Sequence, residues 1–487
     1  MQNTKKNSLR ELHGARLFGF SMGNFGIMLM MMLTGSFSYN FYVYTIRVDS
    51  ILVSIGSTLS MVTMAFMSIV FGVLLDNTKP KKLGKRRPYI LIGLPIWLIS
   101  TVLVYLPPWI PPESLAMANT VLYWPTAIWY WSLSVIRSIF GVLLMMVYRS
   151  IVPEISQTLK NRKKIATVST NLLILSSIIG TGFPIIIMSL VDDSTNVGFW
   201  TTSGKFIMNI MPTISIIFSI PATICILVSF FSIDESFHLT DSDFEKKKIK
   251  DSFKNLFIPA KDKEYMKFMA AGVSTQTSQY VLSFTIIPFI AYVLGRNLPA
   301  AQISVFYILY IVIKMTVNFS WLFIWKMLMR RQKNIIKTFR LNMIFMVVAA
   351  FFELVFFIEL SVPLRLIFFI ITFGTVLGSS YSITLFTSPI LNEMVDRGAE
   401  MNLIENNQGL KMNKDEVVTR ISGAYSGLMM FATSMVGALS STIFGFIFQG
   451  ENSQNPVILT LGLMSMGLFQ IVALVFLQLF KVKFKES

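Results

Sequence analysis

Apolar stretches separated by short polar segments run from residue 17 to residue 480. A helix rises about 1.5 Å per residue and bilayer hydrocarbon is about 30 Å thick, so about 20 apolar residues make one crossing. On that measure the chain contains twelve crossings, at 17–46, 52–76, 89–107, 119–150, 165–190, 206–232, 268–294, 302–328, 341–360, 364–390, 421–448 and 457–480. Several are overlong, which requires tilting or kinking. The pattern predicts an all-α polytopic membrane protein of twelve transmembrane helices, and an even count puts both chain ends on one side.

The longest hydrophilic connector, 234–267, carries Lys246, Lys247, Lys248 and Lys250 and falls midway. It divides the chain into an N-terminal segment 1–16, a six-helix half 17–233, the linker, a second six-helix half 268–480 and a tail 481–487. Two helical sets joined by one linker suggest an internal repeat. A faint echo supports it: Ser150-Ile-Val-Pro-Glu-Ile155 follows helix 4, and Ser388-Pro-Ile-Leu-Asn-Glu393 follows helix 10.

Composition agrees, at 54% hydrophobic residues and a mean hydropathy of +0.63. A formal charge of +17 would suit a nucleic-acid partner, but the placement of the cations excludes that reading. Of the 42 Lys and Arg, 35 fall in the N-terminal segment, the loops after helices 2, 4, 6, 8 and 10, counting Lys326 at the end of helix 8, and the tail. The opposite loops hold only Arg47, Lys205, Arg296 and Arg365, while Arg137, Arg149 and Lys314 lie within or at the edge of helices. Cytoplasmic loops collect Lys and Arg, so both termini are expected in the cytoplasm of a multi-pass plasma-membrane protein. The single cysteine, Cys225, and the isolated His13 and His238 offer neither a disulfide nor a metal centre, and no cofactor is expected. The first apolar run is too long for a cleaved signal peptide, so helix 1 is expected to be retained.

The hairpin between helices 2 and 3 is the most specific stretch. Asp76 ends one apolar run, six Lys and Arg follow from Lys79 to Arg87, and Pro88 begins the next. Gly84 permits a turn that a Cβ would obstruct, and Pro88 suits a first helical turn, where a missing N–H costs nothing. Gly72-x3-Asp76 followed by Gly84-Lys-Arg-Arg-Pro-Tyr-Ile90 resembles the helix 2/3 signature of the major facilitator superfamily. In its longer form it resembles the glycoside-pentoside-hexuronide:cation symporter group and the related sucrose-type transporters. Tyr148-Arg-Ser-Ile-Val-Pro-Glu154 with Arg162, and Asp396 followed by Arg420-Ile-Ser-Gly-Ala-Tyr425, resemble that group's loops after helices 4 and 10. The resemblance implies the major facilitator fold, sugar transport and a cavity lined by helix 4. The group's cation-coupled members carry acidic residues in helices 1, 2 and 4. Here helix 1 offers Asn24 and Asn40, helix 2 reads Met64-Ala-Phe-Met-Ser68, and helix 4 reads Leu144-Met-Met-Val147, which favours proton coupling or facilitated passage over sodium coupling.

Arg137 lies 12 residues, or about 18 Å, from Arg149 at the end of helix 4, which places it near the bilayer midplane. A guanidinium there calls for a cavity, a carboxylate or a bound anion, so Arg137 is either a substrate ligand or half of an ion pair. Lys314 and Glu353 lie at similar depth and are expected either to pair or to form a coupling site for a proton. Two deep cations against one comparably deep acid hint at an anionic solute. Trp129 and Trp131 could stack on a sugar ring or belong to an interfacial belt. Asn24, Asn171, Gln276, Gln279, Tyr280 and Tyr381 are polar groups that could bond solute hydroxyls or neighbouring helices. Asp76, Arg87, Arg149, Glu154, Arg162, Glu393 and Arg420 are expected to form a cytoplasmic gate, Asp76 docking near Arg420 and Arg149; the competing reading has Asp76 merely balancing its own basic hairpin.

The expected function is secondary transport of a sugar or glycoside-like solute by alternating access, by a monomer with a small-molecule solute and a coupling cation as partners, in a lipid bilayer. The rivals are an exporter of drugs or lipids with the same fold, and a membrane-embedded enzyme. An enzyme would group acidic, His or Cys residues in a sizeable loop, and none is grouped so.

Overall fold

The computed structural model describes residues 11–79, 83–84, 86–156, 159–233, 256–332, 334–405 and 414–482. Hydrocarbon offers no partner to a backbone amide, so each crossing satisfies its own as a helix. The crossings are α1 (Gly14–Asn40, continued by a π-helical turn Phe41–Thr45), α2 (Ser50–Asp76), α3 (Arg87–Leu103), α4 (Trp124–Ile155), α5 (Leu159–Leu190) and α6 (Thr202–Ser232). They continue with α7 (Lys263–Pro288, extended by a π-helical turn Phe289–Leu294), α8 (Ala300–Gln332) and α9 (Ile335–Phe352, extended by the 3₁₀ turn Glu353–Phe357). The last are α10 (Val362–Glu405), α11 (Lys414–Ile447) and α12 (Pro456–Leu479). Among the described residues eleven helices are long and apolar enough to cross a bilayer by themselves, and α3 is a shorter apolar helix. A short helix, Glu113–Ala118, sits between α3 and α4.

Boundaries follow local chemistry. Asp49 caps α2 through the Ile51 amide, Asp262 caps α7 through Glu264 and Tyr265, and Asn455 caps α12 through Val457. Gly84 has a φ of 94° and Pro88 lies in the first turn of α3, as the hairpin sequence predicts. The segment between the expected crossings 364–390 and 421–448 is helical at both ends: α10 runs to Glu405 and α11 begins at Lys414. Hydropathy marks where the bilayer ends, and a helix can continue into water beyond that point.

Within 14–232, α1 packs on α5 and α6, and α4 packs on α2 and α3. Small residues permit the closest approaches. A Cβ on Gly26 would lie 2.6 Å from the Ala222 carbonyl oxygen of α6, and one on Gly180 of α5 would lie 2.7 Å from the Leu29 carbonyl oxygen of α1. Within 263–479, α7 packs on α12 and α11, α9 on α12, and α10 on α8 and α9. The two sets meet mainly where α2 lies against α11 and α5 against α8, with α1 touching α7.

The bundle has two distinct ends. Lys481 N–H donates to Glu264 at the start of α7, so α7 begins on the face where the chain ends, here called the terminal face. At the opposite, far face the two sets are bonded together. Ser50 donates to the Gly445 carbonyl, Ser441 to the Ser54 carbonyl and Thr58 to the Ala438 carbonyl, and the Thr58 and Thr442 hydroxyls lie 2.7 Å apart. Tyr39 of α1 meets Phe284 of α7 edge to face with ring centres 5.0 Å apart.

Candidate functional site

On the terminal side of this seal, α7, α10 and α11 line an open cavity of about 450 Å³. Its polar lining comes from Thr275, Gln276 and Gln279 on α7, Ser380 and Thr387 on α10, and Thr433 on α11, with Phe268 and Met429 among its apolar walls. The spacing explains the convergence. Thr275 and Gln279 are four apart, Ser380 and Thr387 seven, and Met429 and Thr433 four, so each set shares one helix face. The Gln279 amide nitrogen donates to Ser380 Oγ at 2.9 Å, while Thr275 and Thr433 return their hydroxyls to carbonyls of their own helices. A wall of amides and hydroxyls with no ionised group among these lining residues suits a neutral polyol surface, and the volume suits a small ligand.

Tyr280, next to Gln279 on α7, lies against Gly437 of α11 and is not among the residues lining the cavity. A Cβ on Gly437 of α11 would lie 2.6 Å from the Tyr280 ring and 2.7 Å from Met61 Sδ of α2.

Other expectations fall elsewhere. Trp129 and Trp131 do not face this cavity: the Trp129 indole donates to the Leu103 carbonyl at 3.2 Å and the Trp131 indole to the Leu52 carbonyl at 2.7 Å. Both anchor α4 to α3 and α2, because an indole N–H in hydrocarbon takes whatever acceptor is within reach. Asn24 is half-buried in α1 and Asn171 is exposed on α5, and neither lines the cavity. The expected Lys314–Glu353 pair is not formed. Lys314 of α8 donates instead to the Thr181 hydroxyl of α5, across the junction between the two helix sets. Glu353 is fully buried where α9 tightens into its 3₁₀ turn, and among the described residues neither carboxyl oxygen has a hydrogen-bond partner.

Arg137 is half-buried near the Tyr105 and Tyr130 phenols, with Nε buried and without a hydrogen-bond partner among the described residues. No carboxylate among the described residues pairs with it. It is not among the residues lining the 450 Å³ cavity. Among the expected gate residues, Arg149 reaches across the helix sets, its Nη1 lying 3.0 Å from Met430 Sδ of α11. Arg87 stacks over the Phe230 ring of α6 at 4.3 Å, inside its own helix set, and Glu393 is half-buried on α10. The side chains of Asp76, Glu154, Arg162, Tyr381 and Arg420 lie outside the described residues, and with them the expected docking of Asp76. Sequence reading missed Arg86, whose Nη1 donates to the Ser150 carbonyl at 2.6 Å and ties the basic hairpin to the end of α4.

A family profile described as MFS/sugar transport protein matches residues 19–483. The chain belongs to that family. Several solved structures share the arrangement. A D-xylose-proton symporter matches with a TM-score of 0.60 at 11% identity, over 96% of this chain and 97% of that one. The xylose transporter XylE from E. coli, in a partially occluded inward-open conformation, gives 0.58 at 12% identity, over 96% and 100%. The nucleoside transporter NupG gives 0.54 at 14% identity, over 97% and 100%. At these identities the likeness is one of fold. No protein in the curated sequence comparison matches. The chain is thus a multi-pass transporter of the major facilitator superfamily with its twelve-helix fold, and not an enzyme.

Proposed function

We propose that this transporter carries a sugar-like solute across the plasma membrane by alternating access, as a monomer, and that the arrangement described is its inward-facing state, with both termini cytoplasmic. The observation that carries the reading is the polar cavity on the terminal side beneath a bonded far-side seal: a hydroxyl-rich solute can exchange its hydration for Gln276, Gln279, Ser380, Thr387 and Thr433 there.

Arg137 favours an anionic group on the solute, such as a hexuronide. Among the described residues it pairs with no carboxylate, although it lies outside the cavity wall and the wall itself suits a neutral polyol. Proton coupling or facilitated passage fits better than sodium coupling, because Glu353 is the deep acid while the acids of the resembling sodium-coupled carriers have no counterpart. The test is uptake into proteoliposomes of a neutral sugar and its uronate, with and without pH and sodium gradients. Saturable uptake of the uronate, driven by pH and lost in Arg137→Met, supports the full reading; uptake of neither overturns it. Glu353→Gln is expected to abolish uphill accumulation while exchange persists, and undiminished accumulation removes Glu353 from the coupling role.

A further inference from the structure

The far face carries a symmetry that hydropathy does not display. The first helix of each helix set ends in a π-helical turn, Phe41–Thr45 after α1 and Phe289–Leu294 after α7. Each turn begins with Phe and has Tyr as its fourth residue: Phe41-Tyr-Val-Tyr44 and Phe289-Ile-Ala-Tyr292. Beyond each, one residue other than glycine takes a left-handed backbone, Arg47 at φ 65° and Asn297 at φ 61°. The π turns are thus corresponding structures in the two sets, and such turns are frequent at functional positions.

The two tyrosines exchange partners across the junction. The Tyr44 hydroxyl donates to the Ser453 carbonyl at 2.8 Å, in the turn Gly450–Gln454 between α11 and α12. The Tyr292 hydroxyl donates to the Thr195 carbonyl at 2.9 Å, between α5 and α6. Each first helix therefore holds the final far-side connection of the other set. The rings meet one another on the way, with centres 6.0 Å apart. Asp193 accepts from the Thr195 amide and hydroxyl and so fixes the loop that presents one of the acceptors.

We propose that Tyr44 and Tyr292 form a reciprocal clasp whose two hydroxyl bonds set how often the far side opens. The inference rests on the alternating-access reading. When the two sets rock apart at the far face, Ser453 leaves Tyr44 and Thr195 leaves Tyr292 in the same motion, because each bond joins opposite sets. A phenylalanine at either position keeps the ring contact and removes only the bond. One net hydrogen bond shifts an equilibrium about fivefold, so each replacement raises the open-to-closed ratio about fivefold and the pair about 25-fold.

The experiment uses the full chain in lipid nanodiscs with Cys225→Ser, nitroxide labels at Ser114→Cys and Glu359→Cys on exposed far-side segments of the two sets, and distance distributions from pulsed spin resonance. Tyr44→Phe and Tyr292→Phe are each expected to enlarge a long-distance population, and the double variant to make it prominent. Tyr42→Phe is the control, since that hydroxyl bonds the Val104 carbonyl inside its own set and its loss leaves the distribution unchanged. Unchanged distances in the single variants or in the double variant, or an equal shift in Tyr42→Phe, overturns the clasp. Solute flux is measured separately: flux with unmoved distances sinks the clasp alone, and shifted distances without flux of any solute sink the transport reading while the clasp stands.

Discussion

Gln279 holds its amide 2.9 Å from Ser380, 101 residues away in sequence, and that pair shows what single side chains do here. An amide in the wall of a cavity gains if it bonds both a neighbouring helix and a solute hydroxyl, so Gln279→Leu is expected to raise the transport KM about tenfold without lowering the amount of protein in the membrane. Trp129→Phe is expected to do the reverse. It removes the bond to the Leu103 carbonyl, so it should cost about 1 kcal/mol in thermal unfolding and leave KM alone. The two variants measured side by side separate wall from anchor. The polar residues of α7 were legible as candidates because they interrupt an apolar helix. Ser380, Thr387 and Thr433 were not, since serine and threonine occur throughout these helices bonded to their own carbonyls.

At the scale of an element, α1 is held between α5 and α6 by backbone approach, with Gly180 and Gly26 as the closest points. Gly180→Val would drive a Cβ toward the Leu29 carbonyl and the Met32 Cβ, both rigid, and is expected to destabilise the fold by about 1–3 kcal/mol, read as a lowered Tm in detergent. Helix positions were legible in the sequence because apolar length is a direct consequence of bilayer thickness. Their ends were less so. Residues 391–405 and 414–420 lie past the expected crossings yet are helical, since water tolerates a helix as readily as a loop. The rotation of each helix about its axis was hidden too. Lys314 was expected to face Glu353 from similar depth, yet α8 turns it toward Thr181 of α5.

For the whole molecule, the distribution of charge predicts that a reporter active only in the cytoplasm is active when fused after Ser487 and silent when inserted in the exposed segment at Ser114; activity at both positions would overturn the assigned topology. The sequence by itself determined the number of crossings, the face that collects the cations and the family, because hydrocarbon thickness and the cost of moving charge act on composition along the chain without regard to how helices pack. Only the tertiary structure decided which polar groups share a cavity, which tryptophans are mere anchors, and which face is bonded shut. Those outcomes depend on helix rotation and on pairings between residues hundreds of positions apart, such as Tyr44 with Ser453, and local physics carries no information about either.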